Sequence, residues 1–438
     1  METTLKLDAY VSSPTRTKAR SLLVMSSKKF MNKKFPPFNF GSPIFSFFAF
    51  YFVFHIFKLV YYYLNNIFPD GLDFYIFDNI ILLCFVILSL IIYFLHMYLF
   101  RSYISSSTYN SGAARVTINV NVLYFTVGSM ILLIALGFNS GVFPWNDPLR
   151  FREVIQGNGG AYFLIIYLFF LKASGCYFFD SYINKSIVPK DYLFVFIFIL
   201  FSFMSGFASL FIHFFIAGFI YVSAKYRKRI ISIKVLLLFS FLILITPFYN
   251  VLRYAIKDGA DLTDALQTFI QRYDFDFLSM IVNRFDYLDN SIIASKYFRE
   301  IADPSLIFNI IFQPVPRSWM ENKPYNYTTL ATSLMFPDNL EIGATNNFGF
   351  LGEFLLYFGD TGLLLGCLFF SILLLITLHK YLYSFRSTRK SLFYVLILSS
   401  YFSSFVGGYF NDLPLPTLIV DFFLWHLFKR YLFRPENS

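Results

Sequence analysis

Charge and cysteine are both scarce in this chain: Asp, Glu, Lys and Arg make up 14% of its 438 residues, and only 3 residues are cysteine. So little charge cannot coat a soluble surface of this size, which excludes an ordinary cytosolic enzyme. Cys84, Cys176 and Cys367 all fall inside apolar runs, so they read as small hydrophobes and exclude a disulfide framework or a cysteine metal cluster. The 5 histidines are scattered without a His-x-x-x-His pair, and no metal site or other cofactor is expected. GNGG at 157–160 is not followed by Lys-Ser or Lys-Thr, which makes it a turn and excludes a phosphate-binding P-loop. No cleavable signal is expected either, because the first apolar run is long and has no small-residue cleavage site.

What is abundant is aromatic and aliphatic surface: 62 Phe, 32 Tyr and 57% hydrophobic residues overall. Runs of about 18 or more apolar residues can cross ~30 Å of hydrocarbon. Ten runs are candidates: 44–64, 79–99, 118–138, 161–180, 191–205, 207–223, 232–250, 348–378, 392–410 and 417–433. The expected fold is an all-α polytopic membrane protein with about 10 transmembrane helices, seven in 44–250 and three in 348–433. The eighth run is too long for one simple span, so its first third is expected to lie shallow or re-enter. Residues 1–43 form a basic cytoplasmic tail expected to be disordered, with Met25 and Met31 as alternative starts, and 434–438 form a second short tail.

With the N-terminus inside, the inner segments 1–43, 101–117, 181–190, 224–234 and 379–391 carry 8, 2, 2, 5 and 4 Lys and Arg. The short outer loops 65–73, 139–160 and 411–416 carry 0, 2 and 0. This asymmetry sets both termini inside and explains the net charge of +10 without nucleic acid.

One large outward loop remains, 251–347, and it holds Arg253, Lys257, Arg272, Arg284, Lys296, Arg299, Arg317 and Lys323 but no histidine. Apolar residues at 277, 281, 285, 288, 292 and 293 predict a helix whose apolar face packs on its neighbours. Asp303-Pro304 reads as a further helix start. QPVPRSWMENKPYNY holds Arg317 and Lys323 in a proline-stiffened segment suited to a phosphate-bearing lipid headgroup. The alternative for any single cation is a pairing with anionic lipid or a loop carboxylate.

The following run opens FGFLGEFLLYFGDTGLLLG, with Glu353 inside an apolar, glycine-rich stretch. A carboxylate there is costly unless it meets water or a cation, so it is a functional candidate, the alternative being a salt bridge to a loop Arg. Asp360 is read as lying two turns deeper, satisfied by local unwinding beside Gly359, and Gly362 with Gly366 as a helix-packing pair. Lys172, in LFFLKASGCYF, is read as lining a cavity or snorkelling toward the cytoplasm, and Asp421 as a partner for a loop cation.

NRFDYL (283–288), PRSWMENKP (316–324) and NNFGFLGEFLLYFGDTG (346–362), with the ten-span layout and single large loop, resemble the Wzy-type O-antigen polymerases. That resemblance implies a glycosyltransferase of the bacterial inner membrane. It would pass a growing glycan from undecaprenyl diphosphate to the acceptor hydroxyl of another lipid-linked repeat unit, on the periplasmic face. Implied partners are the undecaprenyl-diphosphate-linked oligosaccharide, the bilayer and a chain-length regulator protein. For this chemistry Glu353, then Asp286, are the candidate general bases. Arg284, Arg317 and Lys323, with Arg253 behind them, are the candidate diphosphate-binding cations. The rival readings are an O-antigen ligase, which is expected to need a loop histidine, and a lipid-linked oligosaccharide flippase or other transporter.

Overall fold

The structure is a computed structural model that describes residues 42–51, 55–99, 116–145, 150–151, 154–155, 160–205, 210–226, 267, 286–312, 320, 322–325, 327–338, 346, 348–384, 387–407 and 414–435. The N-terminal tail and the run 232–250 lie outside them. Helices occupy the other apolar runs: α1 (Pro43–Tyr51), α2 (Phe57–Leu64), α3 (Leu72–Leu99), α4 (Asn121–Asn139), α5 (Gly160–Ile183), α6 (Pro189–Met204) and α7 (Leu210–Tyr226). Later in the chain come α8 (Asp286–Tyr297), α9 (Asn309–Phe312), α10 (Tyr327–Met335), α11 (Gly349–Ser384), α12 (Thr388–Gly407) and α13 (Pro414–Leu432).

Local chemistry starts several of these helices. Proline occupies the first position of α1, α6 and α13, where the lost N–H would have had no partner anyway. Asp191 in the first turn of α6 accepts the Val188 N–H at 3.1 Å, satisfying a donor that the helix leaves open.

Four described helices are long and apolar enough to cross a membrane: the segments Leu72–His96, Asn121–Asn139, Tyr162–Ile183 and Gly349–Ser384. Their exposed faces are apolar. Ile80, Ile87 and Ile91 of α3, and Leu365, Leu368 and Ile372 of α11, all point outward, while Leu363, Cys367, Phe370 and Leu374 on the other side of α11 are buried. An outer surface this greasy needs lipid around it, so the chain is a membrane protein.

The centre of the bundle is α5, which is apolar around most of its circumference and buried from Tyr167 to Phe178. Close approach to α7 depends on glycine. A Cβ at Gly175 would lie 2.1 Å from the Phe214 carbonyl oxygen, and one at Gly218 would lie 2.1 Å from the Phe179 ring. On the α4 side, Thr126 and Ser174 hydroxyls meet at 2.7 Å.

Lys172 of α5 neither lines a cavity nor snorkels. Its Nζ lies 3.0 Å from the Asp421 carboxylate of α13, and the two side chains are 3% and 1% exposed. Asp421 is therefore paired inside the bundle and not with a loop cation. Each charge offsets part of the cost of burying the other at that depth. Lys172→Met should lower the stability of the purified protein by roughly 3–5 kcal/mol, by stranding the carboxylate. Lys172→Met with Asp421→Leu should recover most of that loss in a thermal unfolding assay, because the pair is then replaced by apolar volume.

One end of the bundle is stitched by polar contacts. Lys225 Nζ donates to both Asp180 oxygens at 2.9 and 3.0 Å, the Tyr226 hydroxyl donates to Asp180 at 2.6 Å, and the Ser384 hydroxyl donates to the Ala224 carbonyl at 3.5 Å. A small departure from an all-helical chain also occurs here. Strand β1 (Val116–Ile118) pairs antiparallel with β2 (Phe433–Pro435), in the register Thr117 opposite Arg434. The β-branched Val-Thr-Ile run suits an extended edge, and the pairing ties the start of α4 to the end of α13. Residues 433–435 are thus a strand and not part of a free tail.

Candidate functional site

The long helix α11 is not continuous. Gly359 has φ +57° and ψ −137°, outside helical space, and it divides the element into a short arm, 349–358, and a long arm, 360–384. Twenty residues of straight helix would separate Phe350 from Phe370 by ~30 Å. Instead their rings stack with centroids 4.8 Å apart, and the rings of Phe354 and Phe369 lie 5.8 Å apart. The short arm therefore folds back along the long arm as a hairpin, consistent with the expectation that the first third of this run re-enters. Gly362 and Gly366 pack against Phe354 of the same hairpin: a Cβ on Gly362 would lie 2.0 Å from the Phe354 carbonyl oxygen. Gly362→Val should force the arms apart and lower the yield of folded protein in detergent, since that neighbour is backbone and cannot yield.

The fold-back corrects the reading of depth. Asp360 is not buried two turns below Glu353; it stands at the tip of the hairpin, 86% exposed, while Glu353 lies along the short arm and is fully buried. The Tyr357 hydroxyl donates to Glu353 Oε1 at 3.4 Å, from one helical turn further along the same arm.

Elements of the large loop form a cradle for this arm. The Asp303 N–H donates to the Leu356 carbonyl at 3.0 Å, satisfying an acceptor where the arm ends. The Ser291 hydroxyl of α8 donates to the Phe348 carbonyl at 3.2 Å, and the Tyr327 hydroxyl of α10 donates to the Gly349 carbonyl at 3.3 Å. A Cβ on Gly352 would lie 2.6 Å from Tyr327 Oη and 3.3 Å from Ala294 Cβ, so only glycine admits both loop helices this closely. Gly349, at φ +71°, and Gly359, at φ +57°, bracket the arm with backbone that favours glycine at each end.

Of the predicted apolar positions, 277, 281 and 285 lie outside the described residues, while Leu288, Ile292 and the half-buried Ile293 fall in α8. Leu288 and Ile292 are buried against Tyr62 and Tyr75, and the Tyr62 hydroxyl donates to Asp289. Asp303 starts the next turn as expected: its side chain accepts the Ser305 N–H at 2.8 Å, ahead of a short 3₁₀ turn at Pro304–Phe308. The Ser305 side chain, and next its N–H, hold the Asp303 carboxyl below its usual range.

In the last turn of α8 and just beyond it, two loop cations pair with carboxylates, as the alternative reading allowed. Lys296 Nζ lies 2.6 Å from Asp70, which also accepts the Tyr297 hydroxyl at 3.0 Å. The Lys296 bond, with Tyr297 next, lowers the Asp70 pKa, and the same bond raises that of Lys296. The pair is thus complete at neutral pH; it weakens in acid, as Asp70 is protonated below its ordinary range, and in strong base, as Lys296 loses its proton above its ordinary range. Arg299 bridges two acids: Nη2 donates to the fully buried Asp78 of α3, and Nε donates to Asp360 at 2.7 Å.

Among the sequence candidates, Glu353 sits at the heart of this assembly, and Asp286 opens the helix that covers it. Lys323 lies in a turn closed by its own N–H to the Met320 carbonyl at 3.1 Å. Arg253, Arg284 and Arg317 lie outside the described residues. The Asp78–Arg299–Asp360 bridge is new to the site. Its signal was present in Asp78, just ahead of the apolar run 79–99, and in a large loop rich in cations.

No family model matches the chain, and no curated protein or solved structure matches it either. Its function rests on its own residues.

Proposed function

We propose that the chain is a Wzy-type polymerase. It would join undecaprenyl-diphosphate-linked oligosaccharide repeat units into O-antigen or a similar surface polysaccharide, on the periplasmic face of the bacterial inner membrane. The observation that carries this reading is the folded-back arm of α11: a buried carboxylate on a short helix, bracketed by two left-handed glycines and roofed by the cation-rich loop. Its membrane setting suits a lipid-linked substrate, which presents its diphosphate at the interface.

In the proposed reaction the acceptor hydroxyl attacks the anomeric carbon of the growing glycan. A new C–O bond forms, the bond from that carbon to the diphosphate oxygen breaks with its electron pair, and undecaprenyl diphosphate leaves. Glu353 takes the hydroxyl proton, with Asp286 as the second candidate, and a base placed this way contributes ~10²–10⁴ in rate. Glu353 is closed off in the structure described, so the short arm has to shift on its glycine ends when substrate binds. Arg284, Arg317 and Lys323, backed by Arg253, stabilise charge developing on the leaving diphosphate, where preorganised cations act most strongly. Ten spans with both termini in the cytoplasm complete the proposed topology. In that arrangement the Lys225–Asp180 end of the bundle, next to the basic segments 224–234 and 379–391, faces inward.

Deleting the gene in its host tests this reading. Lipopolysaccharide should then carry single repeat units on lipid A core and no ladder, and the intact gene should restore the ladder. Loss of every repeat unit would favour transport or ligation instead.

A further inference from the structure

Beside the hairpin tip is an open cleft of about 300 Å³, lined by Asp73, Phe74 and Phe77 of α3 together with Arg299 and Asp360. Phe74 and Phe77 are 47% and 57% exposed, and the Arg299 guanidinium stands 5.4 Å from the Phe74 ring centre. Two polar observations define the occupant. Asp360 is 86% exposed, and its one described bond is that from Arg299 Nε, which leaves acceptor capacity turned to the cleft. Arg299 lines the cleft, and its Nη1 has no hydrogen-bond partner among the described residues; the atom is covered, so it becomes a donor to a ligand when the guanidinium turns toward the cleft.

A ligand that completes this cleft must offer donors to the carboxylates and an acceptor to the guanidinium. An anion offers acceptors alone and meets Asp73 and Asp360 set against a single arginine, whose other partner, Asp78, is buried behind it. A simple cation offers donors alone and leaves Nη1 unsatisfied. A polyhydroxylated ring offers both, and its C–H face can lie on the two phenylalanines. We propose that this cleft is a binding subsite for an uncharged pyranose ring, and that it disfavours acidic sugars. The inference rests on the proposed function only for the source of the ring, a sugar of the repeat unit.

The test is saturation-transfer NMR on the full chain, in a detergent without sugar headgroups, using methyl α-glucopyranoside and glucuronate as separate probes. The glucoside should be saturated more strongly than glucuronate. Phe74→Ala should weaken its binding by about fivefold, the factor expected for ~1 kcal/mol of lost aromatic contact. Asp360→Asn should narrow the preference over glucuronate, which loss of fold alone would not do. Both positions are exposed, so the variants should fold. Equal or stronger saturation of glucuronate, displacement of the glucoside by inorganic pyrophosphate, or no change in either variant would overturn the subsite. These readouts need no polymerisation. Glucoside binding with an unaltered ladder in the deletion host would sink the polymerase reading alone, and a lost ladder without glucoside binding would sink the subsite alone.

Discussion

Replacing Glu353 by Gln should collapse the polysaccharide ladder to single repeat units while leaving the abundance of the protein unchanged. Glutamine keeps the size of the side chain and can still accept from the Tyr357 hydroxyl, so the packing of the short arm is preserved. What it cannot do is take a proton from the acceptor hydroxyl. Removing a general base lowers turnover by ~10²–10⁴, enough to erase long chains within a generation of growth. The complete burial of Glu353 also supplies the competing explanation, that it is only a buried polar contact. The two separate cleanly: a purely structural carboxylate would show its loss as reduced protein or lowered melting temperature, with a normal ladder from whatever protein remains.

Arg299→Ala should be the most damaging single change at the hairpin tip. Asp78 is fully buried, and Arg299 supplies its charge partner. Removing one member of a buried pair leaves an uncompensated charge and costs roughly 3–5 kcal/mol. Adding Asp78→Asn should restore most of that loss, because the residue left behind is then neutral. Asp360→Asn breaks the other half of the bridge but should shift the melting temperature little, since an exposed ion pair contributes only ~0–1 kcal/mol. Thermal unfolding of the three variants in one detergent gives the ranking. Equal losses for Arg299→Ala and Asp360→Asn would show that the bridge does not work as described.

Much of this architecture was legible in the residues. Apolar runs located the described membrane helices, because length and composition alone decide what can sit in hydrocarbon, although α3 starts seven residues before the run 79–99 and α11 ends six residues after the run 348–378. The spacing of Leu288 and Ile292 gave the buried face of α8, and Asp303-Pro304 gave the next helix start. The direction of the chain after Phe348 was not legible, although a re-entering segment was one of the expectations. A pattern of apolar residues is the same whether a helix runs on or turns back, and only the positive φ at Gly359 decides it. Reading the run as continuous therefore placed Asp360 deeper than Glu353, the reverse of their exposures. Lys172 and Asp421 lie 249 positions apart, and no local pattern pairs them. The bridge at Arg299 was hidden for the same reason, since Asp78 lies 221 positions away.

The most direct measurement is reconstitution of the purified protein in liposomes with undecaprenyl-diphosphate-linked repeat units as the sole glycan. Polymerase chemistry predicts lipid-linked dimers and longer oligomers, with one undecaprenyl diphosphate released for each bond formed and no requirement for nucleotide sugar or lipid A core. Repeat units that remain single, or that are consumed only when lipid A core is supplied, would contradict it.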